Sequence, residues 1–179
     1  MAKNIVSIGL DLSLVATGLV VLRDGKIIRQ ELIKSKPLGE KPINEIIRLK
    51  KIVEEIEIVI SEETPIVAVI ENLAFAARKT TALTTLAGLS FLVRSMLFDY
   101  NIPFYMCAPT TLKRFATGKG NSEKDHMILN AYKAYGVESI DNNIADALFL
   151  AKIGSAIMGY EKVISLHQVE TIELMNKQS

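Results

Sequence analysis

The sequence predicts an α/β fold: a mixed five-stranded sheet, its first three strands antiparallel, flanked by helices. Three observations predict it. Two apolar runs near the N-terminus lead into Asp24-Gly25, a strong two-residue hairpin signal. Short β-branched runs then alternate with segments of helical spacing. Finally, 179 residues with 49% hydrophobic and 23% charged side chains suit one domain with a sizeable core and exclude disorder.

Element by element, Ile5–Leu12 reads as a buried strand, Gly18–Arg23 as a second and Lys26–Ile33 as the returning third. Ser35–Pro42, rich in Pro, Gly and Lys, breaks the pattern. A helix follows, capped by Asn44 or a near neighbour, with Ile46, Leu49, Val53, Ile56 and Ile60 as its apolar stripe. Lys50, Lys51, Glu54 and Glu55 lie off that stripe. Ile66–Ile70 is too short for a helix and reads as a central strand ending at Glu71. Thr80–Tyr100 is a long helix, apolar nearly all round. Pro103–Ala108 reads as the fifth strand, a short helix starts near Pro109, and Gly118-Lys119-Gly120 is a link. Ser122–Tyr135 and Asn142–Tyr160 are two further helices. Residues 1–160 make one domain and 161–179 a C-terminal helix or tail.

Mean hydropathy is +0.26, yet dense apolar runs such as Ile66–Ile70 fall far short of the ~20 residues a spanning helix needs. No transmembrane helix is expected. Asp11 interrupts the first apolar run, so no signal peptide is read. The single cysteine, Cys107, leaves no internal disulfide, and no Cys/His cluster offers zinc ligands. A cytoplasmic, reduced setting is expected. Net charge is +1, but Phe75–Lys124 holds Arg78, Lys79, Arg94, Lys113, Arg114, Lys119 and Lys124 against only Asp99 and Glu123. Scattered solubility charge would explain that segment; so would a polyanion.

Three acids stand where burial is expected. Asp11 sits in Ile8-Gly9-Leu10-Asp11-Leu12-Ser13, Glu71 ends Val67-Ala68-Val69-Ile70, and Asp146 lies between Ala145 and Ala147. A buried carboxylate is costly unless it is paired, hydrogen-bonded or cation-bound. Taken singly, each has an ordinary reading: a strand-end acceptor, a helix-start acid, a helix surface residue. Gathered at one sheet edge, they suit a hard cation held by oxygen ligands.

These residues resemble a known family. Gly9-Leu10-Asp11-Leu12-Ser13 with Thr17-Gly18, Ile70-Glu71, and Ala145-Asp146-Ala147-Leu148 look like RuvC-type Holliday junction resolvases of the RNase H-like superfamily, from about Ile5 to Met158. Leu112-Lys113-Arg114, Gly118 and Ser122-Glu123-Lys124 resemble that family's basic segment with two functional lysines. The resemblance implies a Mg²⁺-dependent endonuclease (Mn²⁺ substituting), a homodimer that makes paired nicks in branched DNA. Asp11, Glu71 and Asp146 would be metal ligands, and Lys113 and Lys124 would hold phosphate or stabilise charge at the scissile group.

One position departs from the pattern. Where bacterial members carry a second helix acid, three residues before Asp146, this chain has Asn143. Asn143 shares a helical face with Asp146, and its carbonyl could ligate the metal or a metal-bound water. Asp141 points elsewhere on an ideal helix and suits an N-cap, but would serve as a ligand if the helix starts late. The fourth ligand stays open between them. Phe75, beside Arg78 and Lys79, has two readings, a base-stacking wedge or a buried loop anchor. With Lys113, Arg114, Lys119 and Lys124 these residues make the expected DNA-binding set. His126 reads as a polar helix residue rather than a general base.

The homodimer is expected through the Thr80–Tyr100 helix, where Gly88 would allow close approach and a charge at Leu89 would favour the monomer if that residue faces the partner; a loosely packed core helix would explain the same apolar surface. Other function classes compete. A sugar-kinase or actin-like ATPase needs two such domains and a second phosphate motif. An RNase H-type or general debranching nuclease, or a non-catalytic branched-DNA binder, is separated by cleavage assays with and without Mg²⁺.

Overall fold

The computed structural model describes residues 4–73, 81–136, 141–160, 163 and 165–178, the side chain of Lys124 excepted. Strands β1 (Val6–Asp11), β2 (Ala16–Arg23), β3 (Lys26–Lys34), β4 (Val67–Glu71) and β5 (Phe104–Cys107) form one sheet in the order β3-β2-β1-β4-β5. β1, β2 and β3 are antiparallel neighbours, while β4 runs parallel to β1, and β5 to β4. The mixed five-stranded sheet is as expected. Asp24 and Gly25 both take positive φ, 50° and 69°, the left-handed pair that matches a hairpin to strand twist.

Helices cover both faces. α1 (Pro42–Glu63) and α2 (Thr81–Asp99) pack on one, burying Leu49, Ile52 and Ile56 with Leu89, Val93 and Leu97 against Ile8, Leu10 and Ile70. On the other lies α5 (Asn142–Ile157), with α3 (Pro109–Thr117), α4 (Lys124–Tyr135) and α6 (Leu166–Asn176) around it. The tail residues therefore include a packed helix: α6 buries Ile172 and Met175 in this second core. Just past α6, the Gln178 amide donates to the Met106 carbonyl at 2.9 Å and accepts from the Met106 N–H at 2.9 Å, so a side chain lies along the outer edge of β5.

Several expectations need correction. α1 begins at Pro42 behind Lys41 rather than at Asn44, because proline has the right φ and no N–H to leave unsatisfied at a first helical position. Ile46 is exposed, and Ile52 and Val59 complete the buried stripe instead. α2 is, among the described residues, the one helix long and apolar enough by composition to cross a membrane. Its 19 residues carry only Arg94 and Asp99 as charges, a length that dense apolar runs alone do not reveal. Leu89, fully buried in the core, faces no partner, and Gly88 approaches Leu49 of α1.

Candidate active site

Strand alternation determines which side chains meet α5. Ser7 donates its hydroxyl to the Ala151 carbonyl at 2.8 Å, and a methyl group at Gly9 would lie 2.0 Å from Ala147 O and 2.3 Å from Ala151 N. Ser7 and Gly9 thus face α5, and so does Asp11, two residues further along β1. Gly154 of α5 packs on Val67 and Val69, which puts Glu71 on the same face of β4. Leu10 pairs with Ile70 in the parallel register, so Asp11 and Glu71 follow side by side, roughly one strand spacing of ~4.8 Å apart. Asp11 is only 8% exposed, and Glu71 is half-buried.

The first turn of α5 closes over this end. Gly18, the register partner of Asp11, has room for no side chain, since a methyl there would lie 2.1 Å from Asn143 O. Asn143 also donates its side-chain amide to Ala16 O at 3.0 Å. A carbonyl only accepts, so the amide nitrogen must point to Ala16 and the amide oxygen away. Half-buried Asp146 follows one turn on. Asp141 is the N-cap of α5, its carboxylate accepting from Asn143 N at 2.8 Å. Asp11, Glu71, Asn143 and Asp146 are therefore brought to one end of the sheet, with Asp141 occupied as a cap.

The turn after Asp11 is tied by its hydroxyls. Ser13 Oγ accepts from the N–H groups of Val15 and Ala16, while Thr17 Oγ1 accepts from Ser13 N and donates to Ser13 O. This is the physical content of the Asp11-Leu12-Ser13 and Thr17-Gly18 motif: it turns the chain immediately past the acid.

Oxygen donors fit a hard divalent cation, although among the described residues no three His, Cys, Asp or Glu side chains already form a metal-holding group. Mutual repulsion opposes gathering like charges before a cation neutralises them. Glu71 is felt in the interior too. Its register partner Cys107 has its thiol pushed up to about 12, first by burial and then by the Glu71 charge.

The basic residues are spread more widely. Half-buried Lys113 lies one turn into α3, which follows directly on β5. Arg114 is paired with Glu170 of α6. Lys119 is exposed in the turn beyond α3, where its carbonyl accepts from Ser122. Lys124 opens α4. His126 is exposed. Phe75, Arg78 and Lys79 lie outside the described residues. The sequence reading missed Ser7 and Arg48 as organising residues; each bonds a backbone carbonyl distant in sequence, which periodicity does not signal.

Residues 7–154 match the family model for the crossover junction endodeoxyribonuclease RuvC. The chain belongs to the RuvC family. The matched span runs from β1 into α5 and stops before α6. A RuvC crossover junction endodeoxyribonuclease from Carboxydothermus hydrogenoformans is 28% identical over 159 residues, covering 85% of this chain and 96% of that protein. The fold also matches Thermus thermophilus RuvC solved in complex with a Holliday junction substrate, with a TM-score of 0.73 at 22% identity over 89% of this chain and 99% of that one. A yeast mitochondrial Holliday junction resolvase matches at TM-score 0.58 and 11% identity, over 96% of this chain and 82% of that one. The RuvC family acts on DNA as a crossover junction endonuclease and depends on divalent metal.

Proposed function

We propose that this chain resolves four-way DNA junctions by paired, Mg²⁺-dependent nicking, acting in the cytoplasm as a homodimer. The side-by-side positions of Asp11 and Glu71 under α5 carry the reading. Asp11, Glu71 and Asp146 would hold the cation, Asn143 turns its amide oxygen to the same end of the sheet, and Asp141 serves as cap. When bound, Mg²⁺ activates water for attack on a phosphodiester and stabilises the leaving oxygen. The chain's own part is to hold the acids in one place and to keep the scissile phosphate near Lys113 and Lys124. The complex of Thermus thermophilus RuvC with a Holliday junction supports the choice of substrate.

For the homodimer, support comes from the outer face of α2. Phe91 and Phe98, seven residues apart and hence on one helical face, are 67% and 75% exposed. A two-fold contact through this face would present two equivalent sites to a branched substrate.

Labelled four-way, Y-form, flap and RNA–DNA hybrid substrates, incubated with and without Mg²⁺, test the reading. The expected result is Mg²⁺-dependent cleavage that prefers four-way junctions and is lost in Asp11→Asn and Glu71→Gln, with junction binding retained. Lys113→Ala should slow turnover. Near-normal cleavage by Asp11→Asn, or preference for the hybrid, would overturn it.

A further inference from the structure

Unpaired basic side chains cluster at one end of the sheet, while the arginines of the other end are held by acids. At the hairpin end, remote from the acids, Arg23 pairs with Glu63, and Arg29 with Glu31, Glu62 and Glu63, while Lys26 stands alone and exposed, in no ion pair with a described residue. At the acid end, Lys34, Lys36 and Lys51 are exposed and form no ion pair with any described residue. With Arg48 they line a cavity of about 240 Å³ between the end of β3 and α1, where Glu55 is the one acid. A second cavity, of about 350 Å³, adjoins it over Val15, Ala16 and Lys34–Lys36. Positive charge left unneutralised around two concave surfaces favours an anion.

The rim is built rather than loose. Arg48 donates to the Leu14 carbonyl and, through Nε, to Ser35 Oγ at 3.0 Å. Ser35 Oγ donates to Leu14 O at 2.7 Å, and Ser35 N donates to Val15 O at 3.0 Å. The turn after Asp11, the end of β3 and α1 are thereby locked together, and Arg48 meets a carbonyl and a hydroxyl, not a carboxylate. Its charge therefore adds to those of the lysines.

The position relative to the acids is set by register. Asp11 pairs with Gly18 and Gly18 with Leu32, while Lys34 pairs with Ala16, whose carbonyl holds Asn143. Two strand spacings separate Asp11 from β3, about 10 Å, or roughly three base-pair steps along a DNA axis at 3.4 Å each. The acids face α5 and the cavity opens toward α1, so a duplex whose scissile phosphate lies at Asp11 and Glu71 would carry its backbone over this rim by crossing the end of the sheet.

We propose that Lys34, Lys36 and Lys51 form a second DNA-backbone site that grips phosphates about three nucleotides from the cut, on the β3 side. It lies outside the basic segment 75–124, and it rests on the nuclease reading for its place relative to the cut. Its grip is charge on phosphate and independent of sequence.

The test is binding of a linear duplex in metal-free buffer across a salt series, by wild type, by the triple variant Lys34→Gln/Lys36→Gln/Lys51→Gln, and by Lys26→Gln at the hairpin end of the sheet, away from the acids. Each phosphate that a lysine no longer neutralises should lower the log–log salt slope by about 0.9, so the triple variant should bind more weakly with a clearly shallower slope. Lys26→Gln should match wild type. An unchanged slope in the triple variant, or an equal drop in Lys26→Gln, would overturn the site. Junction cleavage by the wild type with Mg²⁺ is scored separately. A salt slope that depends on the three lysines, in a protein that cuts nothing, would leave the site standing and remove the nuclease reading.

Discussion

Asn143 in α5 donates its side-chain amide to the carbonyl of Ala16 at the start of β2, 3.0 Å away. That bond gives this position a structural task, because an acid here would set a carboxylate against a carbonyl. Asn143→Asp should lower stability in metal-free buffer by about 1 kcal/mol, the usual worth of one hydrogen bond. The added charge should in turn strengthen divalent-metal binding. Thermal melts with EDTA and then with rising Mg²⁺ check both: the variant should start lower and gain more. Equal gains in the two proteins would take Asn143 out of the metal set.

Gly9 lies where α5 touches the sheet. Gly9→Ala puts a methyl 2.0 Å from Ala147 O and 2.3 Å from Ala151 N, both backbone atoms. The helix must move, at a cost of about 1–3 kcal/mol or more, and it would carry Asp146 and Asn143 with it. A denaturant melt should show the destabilisation. Cleavage per folded molecule should fall as well, since ångström shifts in positioning are expensive in rate.

Phe98→Glu places a charge on the exposed face of α2 without touching the core, where Leu89 and Val93 sit. Sedimentation of the wild type at micromolar concentration should give twice the 19.8 kDa chain mass, and Phe98→Glu should move toward the single mass at unchanged melting temperature per protomer. Phe91, stacked under Arg94 at 4.1 Å, should behave similarly but less strongly. A monomeric wild type would remove the dimer.

Cys107 yields a prediction at alkaline pH. Its thiol is raised from 9.0 to about 12 by burial and by Glu71, so the folded state keeps a proton that the unfolded chain loses. The stabilisation is complete below pH 9 and drains away between pH 9 and 12, by about 1.4 kcal/mol per unit at most. Urea melts from pH 8 to 10.5 should fall more steeply for the wild type than for Cys107→Ala. At neutral pH the thiol should resist iodoacetamide until the protein is unfolded.

Much of the sheet was readable because its signals are local. Asp24-Gly25 determines a hairpin, and the β-branched run before Glu71 determines a buried strand. The acids were readable for a related reason, as each interrupts an apolar pattern that predicts burial. What stayed hidden depends on neighbours distant in sequence. Asn44 looked like a cap only because nothing local shows that Pro42 already starts the helix. Leu89 looked available to a partner until α2 turned it into the core. Lys34 and Lys36 lie at and just past the end of β3 and Lys51 in α1, and no linear count of charge could join them or reveal that Arg23 and Arg29 are held by acids.

The Gln178 amide on Met106 has a consequence for self-association. A parallel sheet edge left bare is a template on which another chain can add a strand. Here that edge is stoppered at its middle by a side chain, while β3 forms the opposite margin. Stacking through β3 against β3 would stop after two molecules, whereas an endless ribbon needs both margins open. Removing the last residues of the chain would leave both margins open, so that any strand addition could continue past a pair of molecules.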